Sequence, residues 1–158
     1  SSTVAMIPGE DADSDNGGLA DGVSYSVSYN KDDLYLAVAG DQDVDNQDLM
    51  RFVAQYKMDA LKLGFLYQDN QDILGTKDET GCFGSAAYTI DKTTFKIQYG
   101  FVDDNLDGGK EETLSLGADY KLAKSTKLYV FFTDNTDSEI GLADSEQSSF
   151  GLGMEHKF

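Results

Sequence analysis

Three polar residues of this 158-residue chain have the spacing of a calcium loop. Asp103, Asn105 and Asp107, followed by Gly108, match the opening D-x-N-x-D-G of such a loop. The twelfth position is Leu114, so the bidentate glutamate that completes an EF-hand is missing. Calcium binding at acidic loops is therefore one hypothesis, and a merely solvated acidic surface is the favoured interpretation.

The basic residues that could act on ions share one face of the predicted strands. On a strand, alternate side chains point to opposite sides, which places these residues opposite the apolar positions. In a channel they would line the pore and tune ion passage electrostatically, and in the simpler interpretation they keep the wall wet and pair with carboxylates. The pore-lining candidates are Arg51, Lys57, Lys62, Lys96, Lys121 and Lys127.

The sequence offers no catalytic constellation. His156 is the one histidine, and no Ser, Cys or Asp is in register with it on the predicted strands. Cys82 is the one cysteine, which excludes an internal disulfide and a cysteine metal site. We therefore expect neither an enzyme nor a bound cofactor, apart from the calcium hypothesis.

The charge balance excludes one class of partner. The formal net charge is −17, from 29 acidic and 12 basic residues, whereas binding to nucleic acid needs a basic surface. No run of about 18 apolar residues occurs, so no membrane-spanning helix is predicted. The strands of a membrane barrel would carry a much weaker signal per segment, so that class stays open.

Alternation of apolar and polar residues predicts nine strands, after a polar segment over 1–22 that reads as a loop. Short turns and longer loops alternate between them, and 23 of the 29 acidic residues fall in the opening segment and the longer loops. Only Lys77 and Lys110 are basic there. The predicted strands are 23–29, 34–40, 50–58, 61–68, 83–90, 95–101, 114–122, 126–133 and 150–158, and the longer loops are 41–48, 69–82, 103–112 and 134–147.

The two faces of these strands differ in kind. One is aliphatic with aromatic residues near the strand ends, as interfacial anchoring in a bilayer requires. The other carries serine, glycine and scattered Lys and Gln, which suits the wall of a wide aqueous lumen. Soluble two-sheet proteins also alternate, so a soluble acidic calcium-binding β-sandwich or adhesin-like domain is the alternative hypothesis.

The last nine residues carry the most specific motif. Phe150, Leu152, Met154, His156 and Phe158 share one face, and the sequence ends on an aromatic residue. This strand resembles the C-terminal strand of bacterial outer-membrane β-barrels. The resemblance implies that Phe150, Met154, His156 and Phe158 belong to the signal read by the outer-membrane assembly machinery.

Residues 20–158 as a whole resemble the general diffusion porins of Gram-negative bacteria. The resemblance implies an all-β, antiparallel transmembrane barrel, with these nine strands as the C-terminal part of sixteen and 1–22 as part of an external loop. It further implies a passive channel for ions and small hydrophilic solutes in the outer membrane. The implied partners are the bilayer, lipopolysaccharide, the remaining N-terminal strands and two further copies in a homotrimer.

In the family that the chain resembles, the residues that set ion selectivity lie mostly outside this sequence, so the expectation here rests on the loops and the wall. The acidic loops concentrate cations at the mouth, whereas the lysines of the wall oppose this deeper in the pore. We expect the mouth to dominate and to give a mild cation preference.

Overall fold

The computed structural model describes residues 2–7, 22–44 and 46–157. They form one antiparallel sheet in which every strand lies beside its neighbours in sequence. The strands are β1 Ser2–Ile7, β2 Gly22–Lys31, β3 Leu34–Val44, β4 Gln47–Met58, β5 Leu61–Asp72, β6 Asp78–Ile90, β7 Thr93–Asp104, β8 Lys110–Ala123, β9 Thr126–Ser138 and β10 Ser145–His156. The described residues contain no helix of the length and apolarity needed to cross a membrane.

The interpretation of 1–22 as a loop is wrong at its start. Ser2–Ile7 forms strand β1, which pairs with β2 from Ser2 opposite Val27 to Ile7 opposite Gly22. This segment reads STVAMI, and its last four residues are all apolar, so it lacks the alternation by which the other strands are predicted. The sheet therefore has ten strands where the sequence predicts nine.

The strands are also longer than predicted at the acid-rich end. Strands β2 to β10 run 10–14 residues, and the connections at this end shrink to residues 45–46, 73–77, 105–109 and 139–144. Acidic residues such as Asp41, Asp69, Asp103 and Asp134 are strand residues, although their polarity predicts loops. Crossing a bilayer takes about 9–11 tilted residues, so the strands extend beyond that length.

The turns at the opposite end are two residues long and were predicted at these places. Asp32, Asp59 and Asp91 each open one of them with φ of 52°, 46° and 52°. Aspartate accepts this left-handed conformation more readily than most residues, which suits it to tight hairpins. The turns at this end thus set the register of the long strands.

The sheet has no buried apolar core. Among the described residues no hydrophobic side chain is buried, and the large exposed ones lie mostly on one face. Cross-strand partners on that face form continuous apolar rows, one of which is Tyr56, Leu63, Ala86, Ile97, Leu116, Phe132 and Phe150. Such a face needs an apolar environment, and a soluble sandwich would bury it against a second sheet.

The sheet is open at both edges. In the part of the chain that the structure describes, β1 pairs with β2 alone and β10 with β9 alone. This confirms the expectation that these strands do not close a barrel among themselves. Unpaired edge strands expose backbone N–H and C=O groups, which a bilayer penalises severely.

Candidate functional site: the polar face of the sheet

The face opposite the apolar rows is the candidate site. One row across it joins Gln55, Gly64, Ser85, Gln98, Ser115, Thr133 and Ser149 as successive cross-strand partners. The Ser115 and Thr133 hydroxyls lie 3.0 Å apart and share a hydrogen bond. These amides, hydroxyls and glycines form a continuous hydrophilic strip, and we name this side of the sheet the polar face.

All six basic residues singled out from the sequence lie on the polar face. Lys57 is directly opposite Lys62, and Lys121 is directly opposite Lys127. Lys96 faces Ala87 on one side and Gly117 on the other. The alternation of the sequence thus placed them on one face correctly, and their action on ions stays a prediction.

A chain of ion pairs crosses four strands near the short turns. Asp119 Oδ2 lies 2.7 Å from Lys96 Nζ and 3.6 Å from Lys127 Nζ. Glu155 bridges Lys127 at 3.0 Å and Lys157 at 3.7 Å. Two carboxylates thereby partly neutralise three ammonium groups, so for Lys96 and Lys127 the pairing with carboxylates that the sequence left open is present.

The remaining basic residues of the polar face have different surroundings. Arg51 donates from Nε to Gln68 Oε1 at 2.9 Å, and its guanidinium nitrogen Nη2 donates to the same oxygen. Lys57, Lys62 and Lys121 have no carboxylate within ion-pair distance among the described residues. The charge of the polar face is therefore unevenly compensated.

Aromatic rings on the polar face lie over glycines, and sequence reasoning did not single them out. A Cβ placed on Gly100 would lie 1.9 Å from Cδ1 of Phe83, and one on Gly151 would lie 2.5 Å from the Phe131 ring. Tyr129 covers Gly153 in the same way. The usable signal was an aromatic residue in register with a glycine, since the ring fills the space that a side chain would occupy.

Three of the predicted assembly residues, Phe150, Met154 and His156, lie on the opposite, apolar face. Phe150 and Met154 are 68% and 63% exposed there. His156 shares a 2.8 Å hydrogen bond with the Thr126 hydroxyl of the neighbouring strand. Phe158 lies outside the described residues, so the assembly role of this set stays a prediction.

The calcium-like segment is organised by its own hydrogen bonds. Asp104 Oδ1 accepts from the backbone N–H groups of Leu106 and Asp107 at 2.9 and 3.2 Å. The Asn105 amide donates to Asp78 at 2.7 Å and to Thr80 at 3.1 Å. Within the described ranges no three acidic, histidine or cysteine side chains group closely enough to hold a metal ion. A calcium-binding role for Asp103, Asn105 and Asp107 therefore stays a prediction.

Carboxylates crowd the end of the sheet away from the short turns. A hollow there is lined by acidic side chains from β6 to the β9–β10 connection, with Lys110 the basic residue among its lining residues. Lys110 pairs with Glu112 at 3.2 Å and lies 5.2 Å above the centre of the Phe101 ring. The two ends of the polar face thus differ in sign, acidic at one and basic with partial compensation at the other.

Comparisons with known proteins agree with this architecture. The family model described as Gram-negative porin matches residues 2–140. No curated protein sequence matches. An anion-selective porin from Comamonas acidovorans is similar in structure, with a TM-score of 0.77, 19% identity, and coverage of 87% of this chain and 49% of that one.

Two further solved structures are similar. OmpT, an outer membrane protein of Vibrio cholerae in its trimer form, has a TM-score of 0.70 at 22% identity and covers 88% of this chain and 50% of its own. OccD1 (OprD) has a TM-score of 0.69 at 16% identity, with coverage of 83% and 47%. At these identities the likeness shows the fold, and the chain spans about half the length of these proteins. Because the family model matches most of its length, this chain belongs to the Gram-negative porins of the outer membrane.

Proposed function

We propose that this chain forms part of the wall of a passive diffusion channel for ions and small hydrophilic solutes. The observation that carries the proposal is the separation of the sheet into an apolar face and a polar face across its strands. The apolar face matches a lipid environment and the polar face matches water. No catalytic step is needed, because solutes cross such a wall down their own gradient.

Thiol labelling in a bilayer tests this assignment of faces. Ser85 lies on the polar face and Ala86 beside it on the apolar face. In a Cys82→Ser background, we expect a charged, water-soluble thiol reagent to reduce the single-channel current of Ser85→Cys and to leave that of Ala86→Cys unchanged. Equal labelling of both positions, or a protein without conductance, would contradict the proposal.

The open edges of the sheet support a proposal about partners. The free edges of β1 and β10 are satisfied by further strands, which together with these close the barrel. The similar OmpT structure is described as a trimer, and we extend a homotrimer to this protein. Native mass spectrometry of the detergent-extracted channel tests both points through the chain content and mass of the assembly.

The uneven charge supports a mild cation preference. The acidic end concentrates cations. Near the short turns, Asp119 and Glu155 already compensate part of the positive charge of three lysines. The anion selectivity of the Comamonas porin is a property of that protein. A reversal potential under a KCl gradient tests the preference, and a potential of the anion-selective sign at low salt would overturn it.

The acidic end also supports a proposal about the outer surface. Carboxylates there would hold calcium ions that bridge to the phosphates of lipopolysaccharide, which carry the same sign of charge. Calcium titration of the channel in lipopolysaccharide-containing vesicles, followed by its thermal unfolding temperature, tests the proposal. An unfolding temperature independent of calcium would contradict it.

A further inference from the structure

A second hollow lies on the polar face, between its two ends. It has a volume of about 430 Å³ and its lining includes Lys62 and Lys96 but no carboxylate residue. Its floor is made of small residues, among them Gly64, Ser85 and Ala87. The hollow at the acidic end and the one at the short turns both include carboxylates in their lining, so this one differs from them in charge.

The lysines beside this hollow are poorly compensated. Lys57 and Lys62 are directly opposed on β4 and β5, and neither has an ion-pair partner among the described residues. Like charges placed directly opposite each other destabilise a sheet. An anion held between the two ammonium groups would relieve that repulsion.

Amide donors complete the surroundings. Gln55 and Gln98 line the hollow from either side of Gly64 and Ser85, and no hydrogen bond to another described side chain occupies their amide groups. Gly64 leaves its place to the Ser85 hydroxyl, which would lie 2.5 Å from a Cβ there. A carboxylate approaching Lys62 would therefore meet N–H and O–H donors and no competing acid.

We infer that this hollow is a docking site for small carboxylate solutes on their way through the channel, centred on Lys62, with Lys57 directly opposite it on the neighbouring strand. The inference rests on the proposed function and adds a solute class to it. Neighbouring strands lie about 4.8 Å apart, so Lys62 and Lys96 are roughly 10 Å apart across Ala87. One carboxylate of a short dicarboxylate would contact the unpaired lysines, and the other would extend toward Lys96. The ammonium group of Lys96 already pairs with Asp119.

The test uses succinate and its uncharged analogue succinamide on the intact channel in a planar bilayer, at constant ionic strength. We expect succinate to reduce the potassium current saturably and succinamide to leave it unchanged. Lys62→Gln and Lys57→Gln should each raise the half-blocking concentration of succinate roughly fivefold, because each removes one nearby positive charge.

Lys121→Gln is the matched control, because it removes the same charge from the same face outside the hollow. We expect it to change the half-blocking concentration less than either of the other variants. Ala87→Leu keeps every charge but fills the floor of the hollow, so it should also raise the half-blocking concentration of succinate. Equal effects of Lys62→Gln and Lys121→Gln would show general electrostatics and overturn the site.

Failure of the site and failure of the channel are separable. A channel that conducts KCl but is blocked equally by succinate and succinamide, or by neither, refutes the site and leaves the proposed function intact. Calorimetric titration of succinate into the protein in detergent micelles tests the site without conduction. Binding there that Lys62→Gln weakens roughly fivefold and Lys121→Gln retains supports the site, and absence of binding overturns it.

Discussion

At the scale of single residues, Asp119 compensates part of the positive charge of the polar face. Its carboxylate pairs with both Lys96 and Lys127. Asp119→Asn should leave Lys96 without an ion-pair partner and Lys127 with Glu155 alone. It should therefore move selectivity toward anions, measured as a shift of the reversal potential under a KCl gradient. Folding should change little, since partly exposed ion pairs contribute about 0.2–1 kcal/mol.

Asp91→Asn is the control for that variant. This substitution removes the same charge from a turn at the same end of the sheet, and asparagine also accepts the positive φ of position 91. We expect a smaller shift of the reversal potential than for Asp119→Asn. Equal shifts would show that the ion pairs of the polar face have no special weight.

The ring of Phe83 over Gly100 gives a second prediction at this scale. Gly100→Ala forces the ring aside, because the new methyl group would lie 1.9 Å from Cδ1. Overpacking of this kind lowers the free energy of unfolding by about 1–3 kcal/mol. The loss would be measured as a lower urea midpoint of unfolding in detergent. Gly84→Ala, with no atom within 4 Å of its Cβ, should be nearly neutral. Phe83→Ala should rescue Gly100→Ala if the clash is the cause.

At the scale of strands and turns, the two-residue hairpins fix the register. Asp59 has a φ of 46°, and the carbonyl of the next residue, Ala60, accepts from Thr89 N–H at 2.9 Å on the neighbouring strand. Asp59→Val should destabilise the protein by roughly 1–2 kcal/mol, since a β-branched residue resists the left-handed region. Asp59→Asn should be silent. Equal unfolding midpoints for the two variants would contradict this role of the turn.

The sequence predicted the middle of each strand from β2 to β10 better than its acidic end. Alternation places Leu63 and Lys62 on opposite faces without knowledge of the fold, because the strand period is two. The strand ends were missed because Asp and Asn favour loops by local propensity, whereas cross-strand pairing holds Asp69 and Asp103 in the sheet. The hollow at Lys62 was missed because register between distant strands decides which small residues meet.

At the scale of the whole molecule, charge is sorted along the strand direction. The opening segment and the acid-rich end hold 23 of the 29 acidic residues, and the rest of the chain holds six acidic and ten basic residues. The ion pairs of Asp119 and Glu155 lie within the second group. The wall therefore changes sign of charge along the strand direction. Cations are favoured at the acidic end and anions near the short turns.

An axial charge difference should make the channel rectify at low salt. Current should be larger when the positive electrode is on the acidic side, because cations then enter from the end that concentrates them and anions enter from the other end. The Debye length is about 30 Å at 0.01 M salt and about 3 Å at 1 M, so rectification should be clear at the lower concentration and vanish at the higher.

The direction of insertion must be known for that measurement. Leu142 is 67% exposed in the β9–β10 connection at the acidic end, so Leu142→Cys in a Cys82→Ser background can be labelled from one chamber to report the orientation. Replacing Glu111 and Asp137, which lie opposite each other on the polar face at the acidic end of β8 and β9, by Gln and Asn should reduce the rectification. A symmetric current at 0.01 M, or equal asymmetry at 1 M, would show that the sorted charges of this chain do not govern the field in the pore.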